Sequence, residues 1–354
     1  AVAWVWSRPA DRRAWALWES LVWLALAGLL AFLAFRVAQP ATFQGPGFFG
    51  LRLNPYWLRR LGQIRFEQSG YLDAPPNQQW TNRAPLLFPW VNMVVWGMGL
   101  PLGLAAWVGW AVAGFELWRG RRVHLILWVW ATLMFLYLGT RWVKAMRYFI
   151  FLYPLFVVMA AYVLIRLCRA AARGWRRVGY GLTAVVVIGA ALWAWAVFSI
   201  YLRPHTRIAS SRWICANVPR GATIATEHWD WTPPLPVDGC NPSAPYTIFE
   251  MRNYDDDTPE KQLLLFEWLD RADYIVTGSN RIYASVSRLS ARYPLTNAYY
   301  RALFSGELGF ELVADFTSHP AIGPFQFPDQ ENPWPVMPAQ YEYQPAGIIV
   351  PLPA

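Results

Sequence analysis

Hydrophobic positions dominate the first 202 residues of the chain and become intermittent after them. Five apolar segments approach or exceed the length that crosses a hydrocarbon core of ~30 Å. They occupy residues 15–35, 86–115, 125–138, 148–165 and 180–202. The third is short and the second is long for a single helix. This pattern predicts a polytopic α-helical membrane protein with about five transmembrane helices.

From residue 203 onward, helical periodicity alternates with short apolar runs that suit strands. Thr258 followed by Pro259 is typical of a helix start, because a threonine cap and a proline at the first helical position suit the unpaired amides there. Helices are predicted at 206–217, 258–271 and 296–304, and strands at 222–227, 246–251, 273–278 and 310–316. Residues 203–354 are therefore expected to form a small α/β domain with a Pro-rich, irregular tail after Pro320.

The charge distribution separates the same two regions. Residues 1–202 contain 20 Lys and Arg against 5 Asp and Glu, a net charge of +15. Residues 203–354 contain 11 against 17, a net charge of −6, and the two values sum to the +9 of the whole chain. Because the positive charge lies between apolar runs and not on a soluble face, the basic composition does not indicate nucleic acid as a partner.

Arginines cluster in alternate connections between the apolar segments, which places those connections in the cytoplasm. The clusters are Arg8, Arg12 and Arg13 before the first segment, Arg119, Arg121 and Arg122 after the second, and Arg166, Arg169, Arg173, Arg176 and Arg177 after the fourth. The sequence thus predicts a multi-pass protein of the cytoplasmic (plasma) membrane. Residues 1–202 form its transmembrane region, and residues 203–354 form an extracytoplasmic domain.

The connection at 39–85, which this topology places outside, has more regularity than a linker needs. Its residues 55–68 bring four apolar side chains to one helical face, namely Trp57, Leu58, Leu61 and Ile64. This arrangement predicts an amphipathic helix at the membrane surface. Asp73 follows it as a candidate catalytic acid, although a turn-forming role before two prolines is favoured.

Four cations lie on the predicted outer side, where positive residues are normally depleted. They are Arg83, Arg141, Lys144 and Arg147. On a helix, the last three would form a ladder on neighbouring turns, and no acidic residue lies between positions 119 and 203 to pair with them. One interpretation is non-specific contact with membrane lipid headgroups. The other is a site for a phosphate or diphosphate at the bilayer surface, since guanidinium groups match phosphate oxygens.

Two polar clusters in the C-terminal region have weaker implications. Glu227 and His228, with Asp230, follow a predicted strand and suit a metal or a sugar, although polar groups satisfied within a loop are favoured. Residues 255–257 are three aspartates that suit a helix N-terminus. Motifs such as CxxC, HExxH and GxSxG are absent from the sequence. The catalytic residues stay unknown, no metal ligands are assigned, and no cofactor is certain, with a divalent metal left open.

The three cysteines divide between the two regions. Cys168 is expected to be a small apolar residue at the cytoplasmic end of a segment. Cys215 and Cys240 both lie in the predicted outer domain, where a disulfide is chemically permitted. Two cysteines do not define a framework, so their pairing is left open.

Several segments resemble the C-terminal portion of bacterial phospholipid-carrier-dependent glycosyltransferases, in the GT-C superfamily related to the protein O-mannosyltransferases. The similar segments are 206–214, 218–230, 272–276 and 303–313, together with 144–148 and its continuation to Tyr153 and Pro154. The resemblance covers most of residues 36–320. It implies transfer of a sugar, with inversion, from a polyprenyl-phosphate carrier to an acceptor at the outer face of the membrane.

Two features depart from the family pattern. In such enzymes an acidic residue in the first outer loop acts as general base or as a metal-linked acid. That loop would precede the residues seen here, so the chain is expected to be the C-terminal part of such an enzyme. The tail after Asp329 is also not expected to end in the strand that the family would have.

Two functional hypotheses result from the sequence. In the first, Arg83, Arg141, Lys144 and Arg147 hold the phosphate of a polyprenyl-phosphate-linked sugar, and residues 203–354 cover an unknown acceptor. In the second, the chain is a non-catalytic, membrane-anchored binding or assembly module of the cell envelope.

Overall fold

The structure is a computed structural model, and it describes residues 5, 9–45, 50–73, 75–228, 231–242, 245–328 and 346–351. The chain divides into two compact units: Ala1–Leu72 with Phe115–Ile126, and Asp73–Gly114 with Leu127–Ala354. The described part is mostly helical, with a small sheet region near the C-terminus. Its longer α-helices are α1 (Arg13–Ala38), α2 (Pro55–Ser69), α3 (Leu100–Trp118), α4 (Leu125–Gly139), α5 (Tyr153–Cys168), α6 (Arg173–Phe198), α7 (Thr206–Asn217), α8 (Pro259–Arg271) and α9 (Pro294–Ser305).

Five helical segments of the described chain are long and apolar enough to cross a membrane, which matches the number predicted. These segments are Ala10–Ala38, Leu100–Trp118, Arg122–Gly139, Met146–Cys168 and Arg173–Asn217. Many of their large apolar side chains lie on the surface, as in α1, where the side chains of Trp15, Trp18 and Trp23 are each more than 60% exposed. An apolar surface of this kind suits contact with lipid.

The second predicted segment, 86–115, is not one helix. Its first part is a short α-helix, Leu87–Val91, followed by a π-helix, Asn92–Gly97, and α3 begins only at Leu100. Gly99 between them has a φ of +75°, and a Cβ there would lie 2.8 Å from Cγ of Trp193. The close approach of that indole and the left-handed backbone both need glycine, so the helix breaks at this point.

In the first unit, α1 is joined to α2 by a two-stranded hairpin of β1 (Phe43–Gln44) and β2 (Arg52–Leu53). Asn54 caps α2 by accepting a hydrogen bond from the amide of Tyr56. Gly70 ends the helix with a φ of 86°. These caps explain why the predicted helix at 55–68 is confirmed with almost the same bounds.

In the second unit, the apolar helices pack through aromatic rings and small residues. Phe149 and Phe156 are fully buried, and the ring of Trp107 in α3 lies 4.7 Å from that of Phe156 in α5. Gly109 permits this approach, because a Cβ at that position would lie 2.1 Å from the backbone oxygen of Met159. Close packing of helix backbones through glycine is typical of helices in membranes.

The C-terminal region contains a five-stranded sheet. Its strands are β3 (Thr223–Glu227), β4 (Thr247–Met251), β5 (Tyr274–Thr277), β6 (Phe310–Phe316) and β9 (Ala346–Pro351). They lie in the order β4–β3–β5–β9–β6. Strands β4, β3 and β5 are parallel, whereas β9 runs antiparallel to both of its neighbours. A two-stranded ribbon of β7 (Ala321–Ile322) and β8 (Phe325–Gln326) follows β6.

The predicted helices and strands of this region are confirmed to within about two residues. The expectation that the tail does not end in a strand is wrong, while residues 329–345 lie outside the described part of the chain. Strand β9 ends the tail and lies between β5 and β6 in the sheet. Ile348, Ile349 and Val350 have the β-branched side chains that favour a strand. This short run follows a Pro-rich stretch, and proline disfavours the prediction of a strand.

Candidate functional site

Three backbone oxygens in the stretch 77–81 each accept a hydrogen bond from a side chain. The oxygen of Asn77 accepts from Nε1 of Trp142 at 2.9 Å. The oxygen of Gln79 accepts from Nε of Arg83 at 3.0 Å. The oxygen of Thr81 accepts from Nη1 of Arg288 at 3.1 Å. This stretch therefore fixes two arginines, and also the indole of the turn that carries Lys144.

Arg83 lies close enough to both Lys144 and Arg288 to lower the pKa of each, and we call these three residues the cationic site. Lys144 is only 3% exposed, and its Nζ donates to the backbone oxygen of Trp142 at 3.2 Å. The guanidinium of Arg83 lies 4.4 Å from the ring of Phe88, which suits a cation–π contact. Nη2 of Arg288 is buried and has no hydrogen-bond partner among the described residues. The site thus contains a buried donor without an acceptor among the described residues, which is uncommon in folded proteins.

The charges of the cationic site are not neutralised within the described part of the chain, where none of its three residues forms an ion pair with a carboxylate. Burial lowers the pKa of Arg83 to about 10. Burial and then the charge of Arg83 lower the pKa of Arg288 to about 9. The same two causes lower the pKa of Lys144. Positive charges that are desolvated and close to one another favour binding of an anion.

A second buried lysine, Lys261, is paired with a carboxylate and provides a comparison for Lys144. Lys261, 5% exposed, donates from Nζ to Oδ1 of Asp257 at 2.8 Å, to Oγ1 of Thr296 at 2.6 Å and to the oxygen of Asn253 at 3.0 Å. Its ammonium is paired with a carboxylate and has a full set of acceptors. The contrast with Lys144 identifies the cationic site as the unusual one.

The stretch 73–81 is also held from the side of α9. Nη1 of Arg292 donates to both carboxylate oxygens of Asp73, at 2.6 and 2.7 Å, and Nη2 donates to Asp256 at 3.0 Å. The hydroxyl of Tyr293 donates to Oε1 of Gln78 at 3.1 Å. Arg292 lowers the pKa of the Asp73 carboxyl group through these hydrogen bonds, which makes Asp73 a poor proton acceptor at neutral pH.

Of the four predicted site residues, Arg83 lies close enough to Lys144 to lower its pKa, whereas Arg141 and Arg147 are exposed. The expected helical ladder is not formed, because residues 140–145 are irregular and Arg147 lies in a 3₁₀ helix, Met146–Leu152. Arg141 and Arg147 are exposed, and their guanidinium groups lie over Tyr137 at 4.5 Å and Tyr148 at 5.3 Å. The turn is irregular where Trp142 reaches the oxygen of Asn77.

The sequence did not indicate Arg288 as a residue of the site. It follows β5, and its side chain meets Thr81 across 207 residues. No local pattern distinguishes Arg288 from the other arginines of its region. Only the packing of the 283–293 segment on the 75–83 stretch reveals its place.

The other polar candidates form satisfied networks. Glu227 is 3% exposed and accepts a hydrogen bond from the hydroxyl of Tyr300, while Asp230 lies outside the described residues. The helix that follows the three aspartates, α8, is capped by Thr258, whereas Asp257 accepts from the amide of Thr296 in the first turn of α9. Within the described residues no group of three or more metal-binding side chains occurs.

The two cysteines of the C-terminal region are joined. Cys215 in α7 forms a disulfide with Cys240, and Cys168 is the free cysteine among the described residues. The bond ties α7 to the 231–242 segment, which also contacts α7 where the amide of Leu235 donates to Oγ of Ser211 at 2.8 Å. The disulfide therefore fastens this segment beside the sheet.

Comparison with known proteins gives no match: no family model, no curated protein and no solved structure is similar to the chain.

Proposed function

We propose that the chain is an integral membrane protein that binds the phosphate of a polyprenyl-phosphate-linked sugar at the outer face of the cytoplasmic membrane. In this proposal it acts as part of a glycosyltransferase that passes the sugar to an acceptor. The observation that carries the proposal is the cationic site, in which Lys144 is buried and Arg83 and Arg288 are half-buried, and which lacks a carboxylate partner in the described part of the chain.

The chemistry of the cationic site suits a phosphate better than a carboxylate or a neutral sugar. Two guanidinium groups can each offer paired donors to phosphate oxygens, and the lysine adds a compact charge. Removal of the sugar from a phosphodiester leaves a phosphate monoester with an additional negative charge near neutral pH. Cations held in place before the reaction stabilise that developing charge without reorganising.

Topology supports the same assignment. By the positive-inside rule, the arginine-rich connections described above are expected in the cytoplasm. The cationic site and the C-terminal sheet are then expected on the opposite side of the membrane. The Cys215–Cys240 disulfide agrees with this location, since structural disulfides persist in oxidising compartments. A carrier phosphate anchored by its polyprenyl chain would lie at the level where apolar helices meet these outer segments.

A matched set of variants tests the proposal with the full chain in phosphatidylcholine nanodiscs and fluorescent polyprenyl phosphate as the probe. Lys144→Gln and Arg288→Gln each remove a contact worth about 1.5–3 kcal/mol, so each should weaken binding by roughly 10- to 150-fold. Arg141→Gln removes the same charge from an exposed position and should bind as the wild type does. Equal affinity in all four proteins would refute the proposal.

A second measurement separates the enzyme from the binding module. The wild-type chain is incubated with a polyprenyl-phosphate sugar and membrane extract that supplies acceptors, and transfer or release of the sugar is followed. Turnover that is lost in Arg288→Gln supports the transferase. The assay is repeated with the full-length protein that includes the acidic outer loop expected before these residues. Tight binding of the carrier without any turnover in that protein favours the non-catalytic module.

A further inference from the structure

We infer that Arg292 is a positioning residue for the cationic site: through Asp73 and Asp256 it fixes the 73–81 stretch, and so it sets affinity for a phosphate headgroup that it does not itself touch. This inference rests on the proposed function for the identity of the anion. It concerns a different residue and makes a separate prediction.

The first step is the geometry around Arg292. Its bidentate contact with Asp73 and its second contact with Asp256 join the start of the 73–81 stretch to residues beside α8 and α9. Gln78 belongs to the same network, because its Nε2 donates to Oδ1 of Asp73 at 3.1 Å. A planar guanidinium that binds two carboxylates defines orientation as well as distance.

The second step is the connection from Asp73 to the cations. Tyr293, next to Arg292 in the chain and 1% exposed, donates to the side chain of Gln78. The backbone oxygens on either side of Gln78, those of Asn77 and Gln79, hold Trp142 and Arg83. Through Gln78, the network of Arg292 therefore reaches the backbone that positions Arg83 and the turn that carries Lys144, which are two members of the cationic site.

The third step is electrostatic. Arg83 repels both Lys144 and Arg288, and this repulsion tends to separate the segments that carry the three cations. Arg292 supplies an attraction between two of these segments, because it lies near Arg288 in the chain and binds Asp73 at the start of the stretch that leads to Arg83. Because affinity for a multiply contacted anion depends on donors being held in place beforehand, weakening this attraction should lower the affinity.

The fourth step is the limited effect on overall stability. The side chains of Arg292, Asp73 and Asp256 are 36%, 63% and 67% exposed. Ion pairs with such exposure contribute little to the free energy of unfolding. A change at Arg292 is thus expected to alter binding more than folding, which a purely structural residue would not do.

The experiment uses the full chain in phosphatidylcholine nanodiscs with fluorescent polyprenyl phosphate. Arg292→Gln should weaken binding roughly fivefold, the scale of one exposed ion-pair network, with Arg292→Lys intermediate because it keeps the charge and loses the bidentate geometry. Asp73→Asn should have a similar effect, and the double variant should be no weaker than either single one. Arg271→Gln breaks the exposed pair with Glu267 and serves as the matched control with unchanged affinity.

Each outcome decides between the two proposals. Wild-type protein that does not bind the probe refutes the proposed function. Binding by the wild type together with unchanged affinity in Arg292→Gln overturns the role of Arg292 and leaves the cationic site standing. Additive effects of the two variants would mean that Asp73 and Arg292 act separately, which also overturns it. If Arg292→Gln does not fold, Asp73→Asn alone, which keeps the Arg292–Asp256 pair, decides the question. Inorganic phosphate in place of the lipid shows whether the headgroup suffices for binding.

Discussion

Arg288 donates a hydrogen bond from Nη1 to the backbone oxygen of Thr81 at 3.1 Å, although 207 residues separate them in the chain. The contact brings a third cation to Arg83 and Lys144. The fold thereby gathers like charges that repel one another. Binding sites often contain such unfavourable groups, at a cost in stability that the rest of the fold offsets.

A first prediction concerns the two buried lysines. Lys144→Met should raise the free energy of unfolding by about 1–3 kcal/mol, because it removes a buried ammonium with incomplete hydrogen bonding. Lys261→Met should lower it by about 3–5 kcal/mol, because Asp257 would remain buried without its partner. Thermal denaturation of both variants in detergent provides the comparison. Destabilisation of similar size in both would show that Lys144 is satisfied in the folded protein.

A second prediction concerns pH. Burial lowers the pKa of Lys144 in the folded protein, whereas the unfolded chain keeps the usual lysine value of about 10.5. At a pH between these two values, the unfolded chain therefore binds more protons than the folded protein. Stability rises with pH wherever the unfolded state binds more protons. The penalty from Lys144 is therefore complete below its folded-state pKa and is relieved as pH rises through that value.

The measurement is the difference in denaturation midpoint between Lys144→Met and the wild type. This difference should be constant near neutral pH and should shrink as pH approaches about 10.5. Comparing the two proteins cancels the titration of groups that do not interact with Lys144, and the remaining difference reports on Lys144 together with its neighbour Arg83. A difference that grows with pH would contradict the lowered pKa.

The structure shows why local elements were predictable and the site was only half predictable. Helix α8 was recognised because Thr258 and Pro259 determine its start by local hydrogen bonding. The break at Gly99 was not, because it depends on the approach of Trp193 from a distant helix. Arg83 and Lys144 were predicted as site residues because cations on the expected outer side depart from the positive-inside rule. Arg288 gave no such signal, since its domain is hydrophilic and its contact with Thr81 is tertiary.

A third prediction concerns membrane topology. Val123 and Leu263 are 88% and 70% exposed, so cysteine at either position should react readily with a maleimide. In a Cys168→Ala background and in intact cells, an impermeant maleimide should label Leu263→Cys and not Val123→Cys. Permeabilised cells provide the control, because both should then be labelled. Labelling of Val123→Cys alone before permeabilisation would reverse the proposed orientation.

The last prediction concerns the disulfide. Cys215 and Cys240 close a loop with a sequence separation of 25, and a loop of this size corresponds to about 3 kcal/mol of stability in the chain-entropy description. Replacing both with serine should lower the free energy of unfolding by that amount. Replacing Cys168 with serine should change it little, because the contact of Sγ with Oγ1 of Thr183, at 3.5 Å, is one that a serine hydroxyl can also make.

The same bond reports on the compartment. If the C-terminal region lies outside the cytoplasm, two of the three cysteines of the denatured protein should resist alkylation until a reductant is added. Denaturing the cells in acid and alkylating before and after reduction counts the protected thiols by mass. Three reactive thiols without reductant would mean that the region lies in a reducing compartment. The carrier phosphate would then have to be sought on the cytoplasmic face, because Arg288 and the disulfide belong to the same compact unit.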